Sequence, residues 1–242
     1  AVAEGIIEGP DNPIQAIGKR FIEWARSGPK DIGGTCSMSI RWAAFLGQNN
    51  EPDEEKWFEA SKYTSETNGG RSGGNGALMR TVYPGLYYKE LLMAVETAGA
   101  IAQMTHWDKK STEACNLYTE MIHLITESIS REEALQIIRD VLKDSEYSLK
   151  ARKQLKPTGY VVDSFNCALH SIAATGTFED AIIEAANLGG DADTIAAIAG
   201  GLAGVIYGYN EIPVRWIQTL DPGIRKQLVK LVDAAVKNRE DR

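Results

Sequence analysis

Gly189-Gly-Asp-Ala-Asp-Thr-Ile-Ala-Ala-Ile-Ala-Gly-Gly-Leu-Ala-Gly-Val-Ile-Tyr-Gly208 sets two carboxylates and a hydroxyl in front of a run of small and apolar residues. The glycine pair lets the chain turn, and Asp and Thr accept hydrogen bonds from the free N–H groups of a first helical turn, so a helix begins here. A capping residue is extended rather than helical, which lets Asp191, Asp193 and Thr194 aim at one point although they do not share a helix face. Oxygen ligands converging in this way suit Mg²⁺, Mn²⁺ or Ca²⁺ far better than zinc. The plainer reading is that both aspartates cap the helix and complement its dipole. Behind them, Gly200, Gly201, Gly204 and Gly208 each cost roughly 1 kcal/mol relative to Ala inside a helix. Close approach of neighbouring helices would offset that loss, which predicts a buried helix at the centre of the domain. The run is shorter than the ~18 to 20 apolar residues a membrane span needs.

The remaining apolar residues follow the same period. They recur at helical spacing over 14 to 27, where Ile14, Ile17, Phe21, Ile22 and Trp24 can line one side, and again over 39 to 46, 57 to 62, 90 to 103, 111 to 129, 131 to 143, 161 to 174, 179 to 187, 194 to 208, 212 to 219 and 223 to 237. Helix starts are marked by Ser130, by Asp163 or Ser164, by Thr177 and by Asp221-Pro222. Strand-like alternation is nearly absent, so the expected fold is all-α, a single compact multi-helix domain over 1–242. A chain of 242 residues can bury one large core. Its 26 basic and 33 acidic residues give a formal net charge of −7, which excludes a general attraction to nucleic acid or to an anionic bilayer. Cys36, Cys115 and Cys167 are odd in number and lack zinc spacing, so they read as buried or incidental thiols in a reducing compartment, the cytoplasm. The amino terminus has no basic segment before a long apolar core and is not expected to be a signal peptide; it begins like the middle of a helix.

A second informative stretch is Glu66-Thr-Asn-Gly-Gly-Arg-Ser-Gly-Gly-Asn-Gly-Ala-Leu-Met-Arg80. Glycines at 69, 70, 73, 74 and 76 permit positive φ and close approach of backbone N–H groups to a ligand, and a helix is expected from Ala77, an arrangement able to cradle phosphate. It is neither a Walker loop nor a dinucleotide fingerprint, and such a loop read alone is more often a flexible connection. Asp31, just before Gly33-Gly34, is by default a polar turn residue. His106, between two helices, is structural or touches a ligand. Tyr160 can stack on a base or serve as a rim aromatic.

The run from Gly189 to Gly200 resembles the carboxy-terminal signature of the ADP-ribosylglycohydrolases, the family that includes the dinitrogenase reductase-activating type. Segments Gly28 to Thr35, Gly74 to Arg80, Thr105-His106, Gly159 to Asp163 and Ile212 to Trp216 resemble it in the same order. The resemblance implies an all-α domain with two Mg²⁺ ions, or Mn²⁺ in their place, at the bottom of a cleft that receives ADP-ribose. By position it makes Asp191, Asp193 and Thr194 metal ligands, with both aspartates serving catalysis. It places Gly74, Asn75, Gly76, Ala77 and Met79 on the wall of the ADP-ribose pocket, His106 and Tyr160 beside it, and Asp31, Ile32 and Gly33 close to it. It implies hydrolysis of the N-glycosidic bond of an ADP-ribosylated side chain, arginine first, with an ADP-ribosylated protein or ADP-ribose as partner and oligomeric state open. The competing reading is a non-catalytic ADP-ribose-binding or immunity-type protein of the same fold. The family's Thr-Asp-Asp half-site cannot be placed in this sequence, and Ala1 to Ile7 resembles the helix that follows it. The expectation is therefore that an amino-terminal segment of the family domain is absent and that these residues alone bind metal weakly and turn over slowly.

Overall fold

Why the periodic segments become helices is visible in what they bury. A computed structural model describes residues 1–47, 51–128 and 130–240. Its helices are Val2–Glu8 (α1), Pro13–Arg26 (α2), Gly34–Leu46 (α3), Glu54–Thr67 (α4), Val82–Tyr87 (α5), Leu91–Gln103 (α6), Lys109–Ile125 (α7), Arg131–Leu142 (α8), Val161–Ala174 (α9), Phe178–Ala186 (α10), Ala192–Tyr207 (α11), Val214–Thr219 (α12) and Pro222–Glu240 (α13). Among the described residues the extended pairing is an isolated bridge between Gly74 and Tyr160. The all-helical expectation holds. The helix expected to reach residue 129 ends at Ile125, and residue 129 itself lies outside the described residues.

Apolar side chains gather into two cores. One draws on α7 to α11, with Tyr118, Met121, Phe165, Leu169, Ile198 and Leu202 buried together. The other draws on α1 to α6 and α13, with Ile17, Phe21, Trp57, Tyr88 and Ile101 at its centre. α6 and α7 pack on one another, and α6 serves both cores, giving Ala94 and Ile101 to the second and Ala102 to the first, where α7 places Tyr118 and Met121. In the second core α2 lies so close to α4 that a Cβ at Gly18 would stand 2.2 Å from Trp57 Nε1. The three cysteines are free and buried, as their spacing suggested.

Several starts follow the sequence closely. The Ser130 hydroxyl accepts from Glu133 N–H at 3.1 Å and the Thr177 hydroxyl from Asp180 N–H at 3.0 Å. Asp221 Oδ1 accepts from Gly223 and Ile224 N–H at 2.8 and 3.1 Å. The start of α9 differs. It begins at Val161, ahead of Asp163 and Ser164, because Val161 N–H donates to Gly73 O at 2.9 Å and thereby fixes Tyr160 in an extended conformation at the cap position. From Ala77 the chain makes only a short 3-10 turn, Leu78–Arg80, before α5.

The helix expected at the centre is not the most enclosed one. That place belongs to α9, where Val161, Val162, Phe165, Cys167, Ala168, Leu169 and Ile172 are buried together with Ser164, Asn166 and Ser171. α11 instead buries one face, through Ile195, Ile198, Ala199, Leu202 and Ala203. Of its glycines, Gly201 meets the close approach that was anticipated, and it meets a side chain rather than a backbone: a Cβ there would lie 2.0 Å from the Tyr118 hydroxyl. A Cβ at Gly204 would meet nothing within 4 Å, and Gly208 closes the helix at φ +82. Tyr118 O–H donates to Ile198 O at 3.0 Å, so it cannot withdraw freely. Gly201→Ala is therefore expected to destabilise the fold by about 1–3 kcal/mol through overpacking, despite the better helix propensity of Ala. Tyr118→Phe in the same chain should return much of the loss; urea denaturation of the two single variants and the double variant measures the coupling.

Candidate functional site

Hydrogen bonds to the backbone of distant segments build the frame of the site. Asn75 N–H donates to Gly159 O at 3.0 Å, Val161 N–H to Gly73 O at 2.9 Å, and the Ser111 hydroxyl to Gly74 O at 3.1 Å. These bonds clamp the glycine-rich loop between the turn before α9 and the start of α7. Glycine is needed in this loop for two reasons that separate along it. Gly69 and Gly70 have positive φ. Gly74 and Gly76 lie against His106, where a Cβ would stand 3.3 Å from ring atoms in each case.

The other side of the site is the mouth of α11. Gly189 and Gly190 turn the chain at φ +80 and +58, and Asp191 N–H donates to Pro157 O at 3.1 Å. Asp191 occupies the cap position of α11 without capping it by its side chain. Its Oδ1 accepts from the Thr194 hydroxyl at 3.2 Å, and its Oδ2 accepts from Asn75 Nδ2. The Asn75 amide, buried, also donates to the Ser164 hydroxyl at 2.7 Å, which in turn donates to Thr158 O at 2.6 Å. A carboxylate held by two side chains instead of by first-turn N–H groups is not serving as a helix cap.

A cleft of about 320 Å³ opens between these parts. Asp31, Gly33, Gly74, Asn75, Gly76, Met79, His106, Asp191 and Thr194 all line it, so most of the residues singled out in the sequence meet in one place. Ala77 is fully buried behind the wall. Asp193 is exposed at the first turn of α11, with its Oδ1 accepting Thr194 N–H at 2.9 Å, and is not part of the lining. Tyr160 stands beside the lining, its ring edge against Gly73 and its side chain exposed. Trp24, Thr35, Cys36 and Gly159 also line the cleft. Trp24 corrects an expectation: instead of continuing the buried face of α2 it is 40% exposed at the cleft, because α2 runs past the edge of the core there. Its spacing from Phe21 carried no signal to tell the two fates apart.

His106 is buried and neutral. Burial, with the Arg80 guanidinium beside it, pushes its pKa down to about 3. Arg80 is itself fixed: it donates to Ile101 O at 3.0 Å and its guanidinium lies 4.5 Å from the centre of the Phe21 ring. The donors at the mouth of α11 are all hard oxygens, the Asp191 and Asp193 carboxylates and the Thr194 hydroxyl, which fits part of the shell of a hard divalent cation. Among the described residues, no group of three or more His, Cys, Asp or Glu side chains could hold a metal ion.

A clamped glycine loop, a buried imidazole and a helix mouth carrying acidic oxygens line one cleft in an all-helical frame. The family model of ADP-ribosylglycohydrolase matches residues 1–242, and the chain belongs to that family. It is 28% identical over 225 residues to the ADP-ribosylarginine hydrolase Tri1 of Pseudomonas putida (strain GB-1), covering 89% of this chain and 59% of that protein. It is 30% identical over 235 residues to the ADP-ribosyl-dinitrogen-reductase glycohydrolase of Rhodospirillum rubrum, covering 91% of this chain and 70% of that one. The chain thus spans well short of the full length of these relatives. A solved structure described as an ADP-ribosylglycohydrolase-related protein complex shares the fold, with a TM-score of 0.76 at 24% identity over 98% of this chain and 78% of that one. Among the described residues no helix is long and apolar enough to cross a membrane.

Proposed function

We propose that this chain hydrolyses the N-glycosidic bond of an ADP-ribosylated side chain, arginine first, and releases ADP-ribose. The observation that carries the reading is the convergence of Asp191, Asn75 and His106 on one cleft from segments far apart in the sequence. The arginine acceptor draws support from the name of the Pseudomonas putida relative. The glycine loop from Gly74 to Gly76 offers backbone to the pyrophosphate, and exposed Trp24 offers an aromatic face at the rim. In the reaction water adds to the anomeric carbon, the bond to the guanidine nitrogen breaks, and that nitrogen leaves with a proton.

Asp191, Asp193 and Thr194 would hold Mg²⁺, or Mn²⁺ in its place, whose chemistry there is to bind the ribose hydroxyls and acidify a bound water. Asn75 orients Asp191 for this task, and Thr194 shares its other oxygen. The buried free thiols suit a reducing compartment, and we place the protein in the cytoplasm on that ground.

One feature favours a second reading, a binding protein that keeps the cleft without turnover: both oxygens of Asp191 already serve as anchors for neighbouring side chains. The deciding experiment incubates the protein with ADP-ribosylated arginine in Mg²⁺ and measures free ADP-ribose. Release that stops on addition of EDTA is the expected result. Retention of the ligand without release supports the binding protein, and absence of both binding and release overturns the functional reading.

A further inference from the structure

We propose that Arg80 and Thr105 are positioning residues that lock His106 into one tautomer, with its ring proton on Nε2 as a fixed hydrogen-bond donor toward the cleft. Thr105 is fully buried and its hydroxyl oxygen has two partners, Arg80 Nη2 at 2.7 Å and His106 Nδ1 at 2.8 Å. A guanidinium only donates, so the hydroxyl oxygen accepts from Arg80. The single hydroxyl hydrogen then needs an acceptor, and the lone pair of His106 Nδ1 provides it. In the reverse arrangement Nδ1–H donates to Thr105, and the hydroxyl hydrogen is left buried without a partner, which folded proteins avoid. With Nδ1 accepting and the ring neutral, the proton lies on Nε2.

Among the described residues Nε2 has no hydrogen-bond partner, and it faces the wall made by Gly74 and Gly76, where a Cβ would approach it to 3.3 and 3.4 Å. The ring lines the cleft. His106 therefore cannot take a proton from a molecule in the cleft, because its lone pair points away, at Thr105. What it offers is an N–H to an oxygen, either a phosphate or a ribose hydroxyl. Arg80 makes the assignment robust by being pinned from other directions, to Ile101 O at 3.0 Å and over the Phe21 ring.

The tautomer is independent of the proposed function, whereas the identity of the accepting oxygen rests on that reading. The protein has three histidines, so ¹⁵N-histidine labelling with long-range proton–nitrogen correlation at neutral pH resolves them, the others being assigned through His123→Gln and His170→Gln. The expected wild-type spectrum shows His106 protonated at Nε2 alone; protonation at Nδ1, or at both nitrogens, overturns the proposal. Thr105→Val removes the hydroxyl and should shift the ring toward the other tautomer, with Thr105→Ser restoring the wild-type pattern; a Thr105→Val spectrum unchanged from wild type also overturns it. In calorimetric titrations with ADP-ribose, Thr105→Val should bind about tenfold more weakly and Thr105→Ser nearly as well as wild type. Wild-type protein that shows the Nε2 tautomer but does not bind ADP-ribose would sink the functional reading and leave the positioning role standing.

Discussion

Gly190→Ala is expected to lower stability by about 3 kcal/mol or more and to abolish ligand binding in the cleft, whereas Gly189→Ala should cost only about 1–2 kcal/mol. Both glycines have positive φ, so both substitutions carry the strain of a left-handed L-residue. They differ in what the added methyl meets. At Gly189 there is nothing within 4 Å, while at Gly190 a Cβ would lie 1.8 Å from Pro157 O. The carbonyl cannot step aside cheaply, because it accepts Asp191 N–H at 3.1 Å, and that bond places Asp191 in front of Asn75. The collision and the positioning of the carboxylate are therefore the same contact. Urea denaturation of the two variants separates the shared dihedral cost from the collision. Equal losses at the two positions would show that the turn relaxes and that Pro157 does not hold the mouth of α11.

How far the sequence went can be seen by comparing α11 with α9. The run after Asp191 is so short of polar side chains that its helix and its acidic mouth were legible without any structure. What periodicity could not rank was enclosure. α9 carries Ser164, Asn166 and Ser171, which argue locally for a wetter position, yet the Ser171 hydroxyl donates to Cys167 O at 3.0 Å and Asn166 Oδ1 accepts Ser148 N–H at 2.9 Å, so the hydroxyl and the amide oxygen are satisfied inside while Asn166 Nδ2 is buried without a partner among the described residues. The glycine loop was legible as a ligand-binding candidate, and its end, Gly74, Asn75, Gly76 and Met79, lines the cleft. The reason for its glycines was not: at Gly74 and Gly76 the demand comes from His106, about thirty residues downstream, rather than from the local dihedrals. Asn75 is the extreme case. Its partners Ser164 and Asp191 lie 89 and 116 residues away, a separation at which local patterns carry no information. The resemblance to a family brought Asn75 into the site, and the structure shows it as the link between the loop and the acidic mouth.

Asp191→Asn and Asp193→Asn should each weaken Mg²⁺ binding by at least about 100-fold, the upper end of what loss of a merely supporting group costs a metal site, but they should do so with different side effects. Asp191 joins three segments: its oxygens receive Asn75 and Thr194, and its N–H holds Pro157. Replacing one of those oxygens by an amide N–H turns a donor toward the Asn75 amide or the Thr194 hydroxyl. The variant should therefore lose stability by about 1–3 kcal/mol as well as metal. Asp193 is exposed and, among the described residues, its side chain accepts only the neighbouring Thr194 N–H, so its loss should leave thermal stability within about 0.5 kcal/mol of wild type. Calorimetric Mg²⁺ titration beside a urea melt reads both quantities for each variant. If Asp193→Asn binds Mg²⁺ as wild type does while Asp191→Asn loses only stability, the oxygens at the mouth of α11 are struts for the glycine loop and the metal assignment is wrong. If both variants lose the ion and only Asp191→Asn melts early, one carboxylate both carries charge and holds the loop in place. The stability of the cleft would then depend on the same two oxygen atoms that, together with the Asp193 carboxylate, give it its capacity for a cation.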